Sequence, residues 1–198
     1  MGLTPVADSD VATIVTTLEM NARPPARPLP DSPFRLERWE TPSPDKYRAL
    51  FRRVGAPWLW FSRLVMDEAA LTRIIHDAGI RIYAVTDRQG IEVGMLELDF
   101  RHAGACELSY VGLIPELAGQ GHGRWLMANA LALAWAKDIA RVWVHTCTLD
   151  HPSALGFYRA SGFTAISRTV ETFPDPRLSG ALPVGAAPQI PLLSASRR

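Results

Sequence analysis

The chain has 198 residues, 47% of them hydrophobic and 21% charged, a composition that suits one globular domain with a sizeable core. A formal net charge of +1 excludes a broad basic footprint for nucleic acid. The longest apolar run, 126–136, is too short to span a bilayer, and the opening MGLTPVADSD has neither the basic nor the apolar region of a signal peptide. A cytoplasmic protein with no membrane partner is therefore expected.

In chain order, 11–20 (VATIVTTLEM) is rich in β-branched residues and predicts a strand. The proline-rich 21–33 predicts an extended connection, and 34–39 a short strand. Thr41-Pro-Ser-Pro-Asp45 sets up a helix start, with Tyr47, Leu50, Phe51 and Val54 at helical spacing and Gly55 as the stop. A second helix is expected over 67–78, capped by Gly79. Strands at 80–86 and 91–100 flank the hairpin link 87–90, and 102–104 turns the chain into a third strand over 106–114.

A helix over 124–138 places Met127, Ala130, Leu131, Ala134 and Trp135 on one stripe. The strand expected at 142–147 is too distant from 114 for a hairpin, which suggests one parallel pair inside a mixed sheet. Pro152 opens a short helix closed by Gly162, and 163–173 is a last strand. The Pro-, Gly-, Ala- and Ser-rich 174–198 reads as a surface tail. The domain is expected to span 1–173, with its core at 34–173 and an N-terminal strand and connection at 11–33. Cys106 and Cys147 read as free buried thiols, and no Cys/His spacing suggests a metal.

Residues 112–127 read GLIPELAGQGHGRWLM, with Gly119, Gly121 and Gly123 alternating between a strand end and a helix start. A helix N-terminus offers unpaired N–H groups and partial positive charge, and glycine lets a ligand approach that backbone. The loop therefore reads as an anion cradle for a pyrophosphate. Its G-x-G-x-G spacing matches neither the G-x-G-x-x-G of a dinucleotide-binding loop nor the Gly-Lys-Ser/Thr ending of a P-loop.

These residues resemble the acetyl-CoA-binding stretch of the GNAT superfamily, the Gcn5-related N-acetyltransferases, which runs V-x-P-x-x-R/Q-G-x-G-x-G/A-x-x-L. Leu113, Pro115, Gly119, Gly121, Gly123 and Leu126 stand at matching places, while Ala118 departs where Arg or Gln is usual. A later motif of that family, N-x-x-A-x-x-x-Y-x-x-x-G-F, is similar to 151–163 (HPSALGFYRASGF), with His151 in place of Asn.

The resemblance covers roughly 34–173. It implies an α/β fold whose mixed, mostly antiparallel twisted sheet has about six or seven strands flanked by about four helices. It also implies acetyl transfer from acetyl-CoA, as co-substrate, to a primary amine of a small molecule or protein. Cofactor contacts would come from Leu113, Ile114, Ala118, Gly119, Gln120, Gly121, His122, Gly123, Arg124 and Tyr158. The strand at Tyr110–Leu113 would pair with pantetheine through its backbone, and Gly112 is suited to mark a bulge there.

A lysine-like amine, with a pKa of ~10.4, is protonated at neutral pH, so a base must take its proton and an acid must protonate the departing thiolate. The resemblance makes Tyr158 the acid. Glu107 is the first candidate base, placed like the glutamate of the histone-acetylating branch. It stands six residues before Leu113, and on a regular strand the two share a face. His145 is the second, near the glutamate of the ribosomal-protein-acetylating branch and with a suitable intrinsic pKa of about 6.5. Glu97 is a third.

The run Trp58-Leu-Trp60-Phe61 suits core packing first and a pocket for an apolar amine second. A non-catalytic acyl-CoA-binding module, a longer acyl donor and a homodimer are the remaining alternatives.

Overall fold

A computed structural model describes residues 2–25 and 28–193; part of the proline-rich connection and the end of the tail, 194–198, lie outside the described residues. One sheet of seven strands contains β1 (Asp10–Met20), β2 (Arg35–Trp39), β3 (Ile80–Thr86), β4 (Glu92–Asp99), β5 (Ala105–Leu113), β6 (Arg141–Cys147) and β7 (Thr164–Pro174). Their order is β2-β3-β4-β5-β6-β1-β7, antiparallel throughout except for the β5–β6 pair. The four helices are α1 (Pro44–Gly55), α2 (Glu68–Ile75), α3 (His122–Ala134) and α4 (Ala154–Ala160). The mixed α/β sheet and its four helices are thus those expected.

Local chemistry fixes the helix starts. Ser43 accepts a hydrogen bond from the Lys46 amide at 3.3 Å, Pro44 fills the first turn, and Arg52 and Arg53 stand in the last turn of α1. Asp67 caps α2 by accepting from the Ala70 amide at 2.7 Å.

The helix ends differ from expectation. Gly55 does not stop the chain; it leads into a 3₁₀ turn at Ala56–Trp58, and Leu59, with φ 55°, makes the left-handed exit. The second helix ends at Ile75 rather than 78, because Asp77 takes the Gly79 amide at 2.7 Å in a turn that starts β3. The third ends at Ala134, where Trp135 leaves helical geometry and is buried, and Asp138, with φ 69°, turns the chain toward β6.

Two irregularities shape the centre of the sheet. The first is that β5 and β6 pair at three positions only, Ala105, Cys106 and Glu107 against Arg141, Val142 and Trp143, and then part. The second is a bulge. Leu98 faces Leu108 while Glu97 faces Tyr110, so Ser109 is the extra residue in β5.

The bulge reverses the alternation beyond it. Glu107 pairs with Asp99 and Leu113 with Gly94, positions of opposite parity on β4, so Glu107 and Leu113 lie on opposite faces and not on one. The bulge expected at Gly112 is therefore at Ser109. Gly112 is instead a close approach: a Cβ there would stand 2.8 Å from Val54 Cγ1 and 3.3 Å from the Trp60 ring.

Both faces of β4 are covered, α1 lying on the face that carries Glu97. The main core gathers Tyr47, Phe51, Leu71, Ile82, Leu98 and Leu126, among others, at near-zero exposure. A smaller cluster corrects the view of 174–193 as a tail confined to the surface. Leu182 and Ala187 are buried against Val11, Leu59 and Phe173, and Arg177 ties the segment together through Asp175 and the carbonyls of Ala186, Ala187 and Ile190. Among the described residues no helix is long and apolar enough to cross a membrane.

Candidate active site

The parting of β5 from β6 opens a cavity of about 810 Å³. One end is the glycine loop. Gly119 and Gly121 hold φ of +74° and +85°, a region costly for side-chain-bearing residues, whereas Gly123 does not have a positive φ. The amides of residues 119–123 donate to no group among the described residues. Gly119, Gly121, Gly123 and Arg124 border the cavity, and Arg124 Nη2 would lie 3.6 Å from a Cβ at Gly121. A cluster of free amides beside a guanidinium at a helix start fits an anion.

Not every expected cofactor residue faces this space. Leu113, Ile114, Ala118 and Tyr158 do. Gln120 and His122 are absent from the lining; Gln120 Nε2 donates to the Glu116 carbonyl at 2.7 Å, and the His122 ring packs edge-on against Phe34. The Gln120 side chain is spent on the loop and the His122 ring on Phe34, which leaves their backbone for a ligand.

Tyr158, carried by α4, borders the same cavity. Phe157 packs beside Gly123, which docks α4 on the start of α3. The Tyr158 ring is 8% exposed, and its hydroxyl makes no hydrogen bond among the described residues while bordering the cavity. Burial, followed by the charge of Asp150, pushes its pKa above the ordinary tyrosine value, so the phenol keeps its proton at neutral pH. His151, off-pattern in the sequence, acts locally at the start of α4, where its Nδ1 lies 3.2 Å from the Ser153 amide and 2.7 Å from the Ser153 hydroxyl.

Glu107 and His145 come together where the strands separate. His145 Nδ1 stands 3.1 Å from Glu107 Oε1, so the two candidate bases form one pair. The hydrogen bond to Glu107 raises the His145 pKa above its usual value, with Asp150 and Glu171 adding to it against the opposing effect of burial. Glu97 is placed elsewhere. It is fully buried, accepting from the Tyr47 hydroxyl on one oxygen and from Arg63 Nη2 on the other, and it does not border the cavity.

Several neighbours of this site carry no local sequence signal. Asp150 accepts from Trp60 Nε1 at 3.2 Å, Thr146 Oγ1 at 2.7 Å and the Cys147 amide at 3.0 Å, and so fastens the aromatic run to the end of β6. Arg63, Arg101, Glu171 and Phe173 line the same space from separate parts of the chain. The aromatic run serves both expected purposes: Trp60 packs on Phe51 and Tyr110, while Trp58 and Phe61 border the cavity. Cys106 takes no part, since burial pushes its thiol up to about 12.

Comparison with known proteins agrees with this architecture. A functionally unknown conserved protein from Staphylococcus epidermidis aligns at 12% identity and TM-score 0.54, covering 84% of this chain and 63% of that one. A GCN5-related N-acetyltransferase from Sphaerobacter thermophilus aligns at 15% identity and TM-score 0.56, covering 83% and 52%. Spermidine N-acetyltransferase from Vibrio cholerae, in complex with CoA and spermine, aligns at 20% identity and TM-score 0.55, covering 73% and 97%. The chain thus spans about half to two thirds of the length of the first two proteins. No curated protein matches the sequence. At these identities the structures establish the fold alone. The family is established by the sequence itself, because the model of the acetyltransferase (GNAT) family matches residues 34–163, which hold both the glycine loop and Tyr158; the chain belongs to that family.

Proposed function

We propose that this chain moves an acetyl group from acetyl-CoA directly to a primary amine of an acceptor held in the same cavity. The observation that carries this reading is the parting of β5 from β6 after Glu107. One cleft thereby gathers free amides at a helix start, an unpartnered phenol and a carboxylate–imidazole pair.

The residues present fit such a donor. Amides 119–123 and Arg124 suit a diphosphate, and the edge of β5 beyond Glu107, which has no β6 partner, offers backbone groups to a pantetheine amide. The Vibrio cholerae neighbour in complex with CoA supports this ligand class. Acetyl-CoA supplies the activated acyl group.

The chain's own residues then handle two protons. His145, with Nδ1 held by Glu107, presents Nε2 to an acceptor ammonium and takes its proton; the carboxylate orients the ring and raises its basicity. As the nitrogen–carbonyl bond forms and the carbon–sulfur bond breaks, the Tyr158 hydroxyl, kept protonated by burial, gives its proton to the departing thiolate. It is restored by the second proton that the acylated nitrogen sheds. The β5 bulge re-aims Tyr110–Leu113, whereas Glu107 is oriented by its regular pairing with Asp99 and Trp143. Thiol release from acetyl-CoA, measured across a panel of primary amines with mass detection of the N-acetyl product, tests the reading. Acetylated product supports it. Tight acetyl-CoA binding with no amine acetylated would point instead to a non-catalytic module.

A further inference from the structure

Among the described residues, Arg177 and Arg63 have enclosed side chains, and they differ in how fully they are used. Arg177, 2% exposed, spends Nε, Nη1 and Nη2 on Asp175 and three carbonyls. Arg63, 11% exposed, makes one hydrogen bond, from Nη2 to Glu97 Oε1 at 2.7 Å. Its Nε is buried with no acceptor, and its Nη1 also has none among the described residues. Arg63 borders the cavity, its guanidinium 5.4 Å from the centre of the Tyr110 ring. Arg48 also has an unpartnered Nε, but it lies outside the cavity wall.

An enclosed guanidinium with open donors is costly unless a ligand supplies the oxygen atoms, and a carboxylate matches its planar fork. Arg101 stands nearby on the same wall. Its Nε and Nη2 are taken by Asp99, its Nη1 is open, and Asp99 lies directly across from Glu107 in the β4–β5 pairing. Three ion pairs stand at this end, Arg63 with Glu97, Arg101 with Asp99 and His145 with Glu107, while Glu171 borders the same space near His145 with no ion-pair partner among the described residues. What remains open is directional: Nη1 of Arg63 and Nη1 of Arg101 are spare donors, Arg63 Nε being closed off from the cavity, and a proton acceptor stands at the Glu107–His145 pair beside Glu171. Behind them Phe61 stacks on Phe173 at 4.6 Å, with Trp58 in the same wall.

We infer that the acceptor is a free α-amino acid with an apolar side chain, its carboxylate received by Arg63 and Arg101 and its amine by the Glu107–His145 pair. This rests on the acetyl-transfer reading above. The side chain lies against Phe61 and Trp58.

The test compares phenylalanine, its methyl ester, phenethylamine and phenylalanyl-glycyl-glycine as acceptors of the wild-type protein. Calorimetric binding of the same four compounds in the presence of CoA is measured beside turnover. The expected result is a kcat/KM and an affinity for phenylalanine about tenfold or more above those of the other three, the loss appropriate to a charged hydrogen bond. In Arg101→Gln, a half-exposed position, KM for phenylalanine rises about tenfold and KM for phenethylamine changes less than about twofold. Arg63→Lys keeps the charge over buried Glu97 while removing the planar fork, and it weakens phenylalanine selectively. Equal or better use of phenethylamine or the ester would overturn the carboxylate site while leaving acetyl transfer standing. Preference for the tripeptide would overturn the free amino acid in favour of a peptide N-terminus. Preferential binding of phenylalanine without turnover would keep the carboxylate site and remove the transfer reading.

Discussion

Gly121→Val probes the loop most sharply. Gly121 holds φ +85° at the residue before α3, where an L-residue costs about 1–2 kcal/mol and a β-branched one sits at the upper end. The variant loop relaxes toward negative φ, which turns the amides of 119–123 away from one another. Ligand binding then has to restore the observed conformation at that cost. With 1.4 kcal/mol equal to a factor of ten, the Kd for acetyl-CoA rises about 5- to 30-fold. Gly123→Ala is the internal control. Its φ is not positive, and a Cβ would make an ordinary contact 3.7 Å from the Phe157 ring, so affinity stays within about twofold of wild type. Isothermal titration calorimetry with acetyl-CoA reads both, and circular dichroism checks the fold. Unchanged affinity in Gly121→Val, or an equal loss in Gly123→Ala, would refute the cradle.

Tyr158→Phe lowers kcat by about 10²- to 10⁴-fold, with Kd for acetyl-CoA unchanged by calorimetry; full turnover would remove the acid role. The kcat/KM profile rises with pH through the raised titration of His145, because the base must be unprotonated, and in Glu107→Gln that limb moves to lower pH while kcat falls. The sign in stability is opposite. The His145 contribution is full below about 6.5 and lost as pH rises through the raised value, so Glu107→Gln is more destabilising at about pH 6 than at about pH 9 in thermal melts. Arg177→Ala strands the buried Asp175 carboxylate and costs about 3–5 kcal/mol in urea unfolding at neutral pH. Since the Arg177 hydrogen bonds hold the Asp175 carboxyl below its ordinary value, that cost shrinks as pH falls through the lowered titration. Leu182→Ala, at a side chain 2% exposed, costs about 2–5 kcal/mol and loosens the Phe173 side of the cavity.

The strands and the glycine loop were legible because they depend on local patterns: β-branched runs, hairpin links and glycines at fixed spacing. All seven strands fall where period and turn chemistry put them. Helix ends were less legible, since Asp77 and Trp135 ended α2 and α3 through a turn bond and a burial that spacing does not encode. The face of Glu107 was misread for a related reason. A single extra residue at Ser109 reverses every side chain beyond it, and nothing in ELSYVGL marks where that residue sits. The Glu107–His145 contact, the Asp150 clasp and the convergence of Arg63 with Arg101 depend on pairings between distant elements. So does the position of β1 between β6 and β7, which places Thr13 and Val15 in the cavity wall.

A crystal structure of the protein soaked with acetyl-CoA examines the central claim most directly. The diphosphate is expected over the amides of 119–123 beside Arg124, with the thioester sulfur next to the Tyr158 hydroxyl and its carbonyl end facing His145. Nucleotide density in another part of the molecule, or a sulfur pointing away from Tyr158, would contradict the assignment of this cleft.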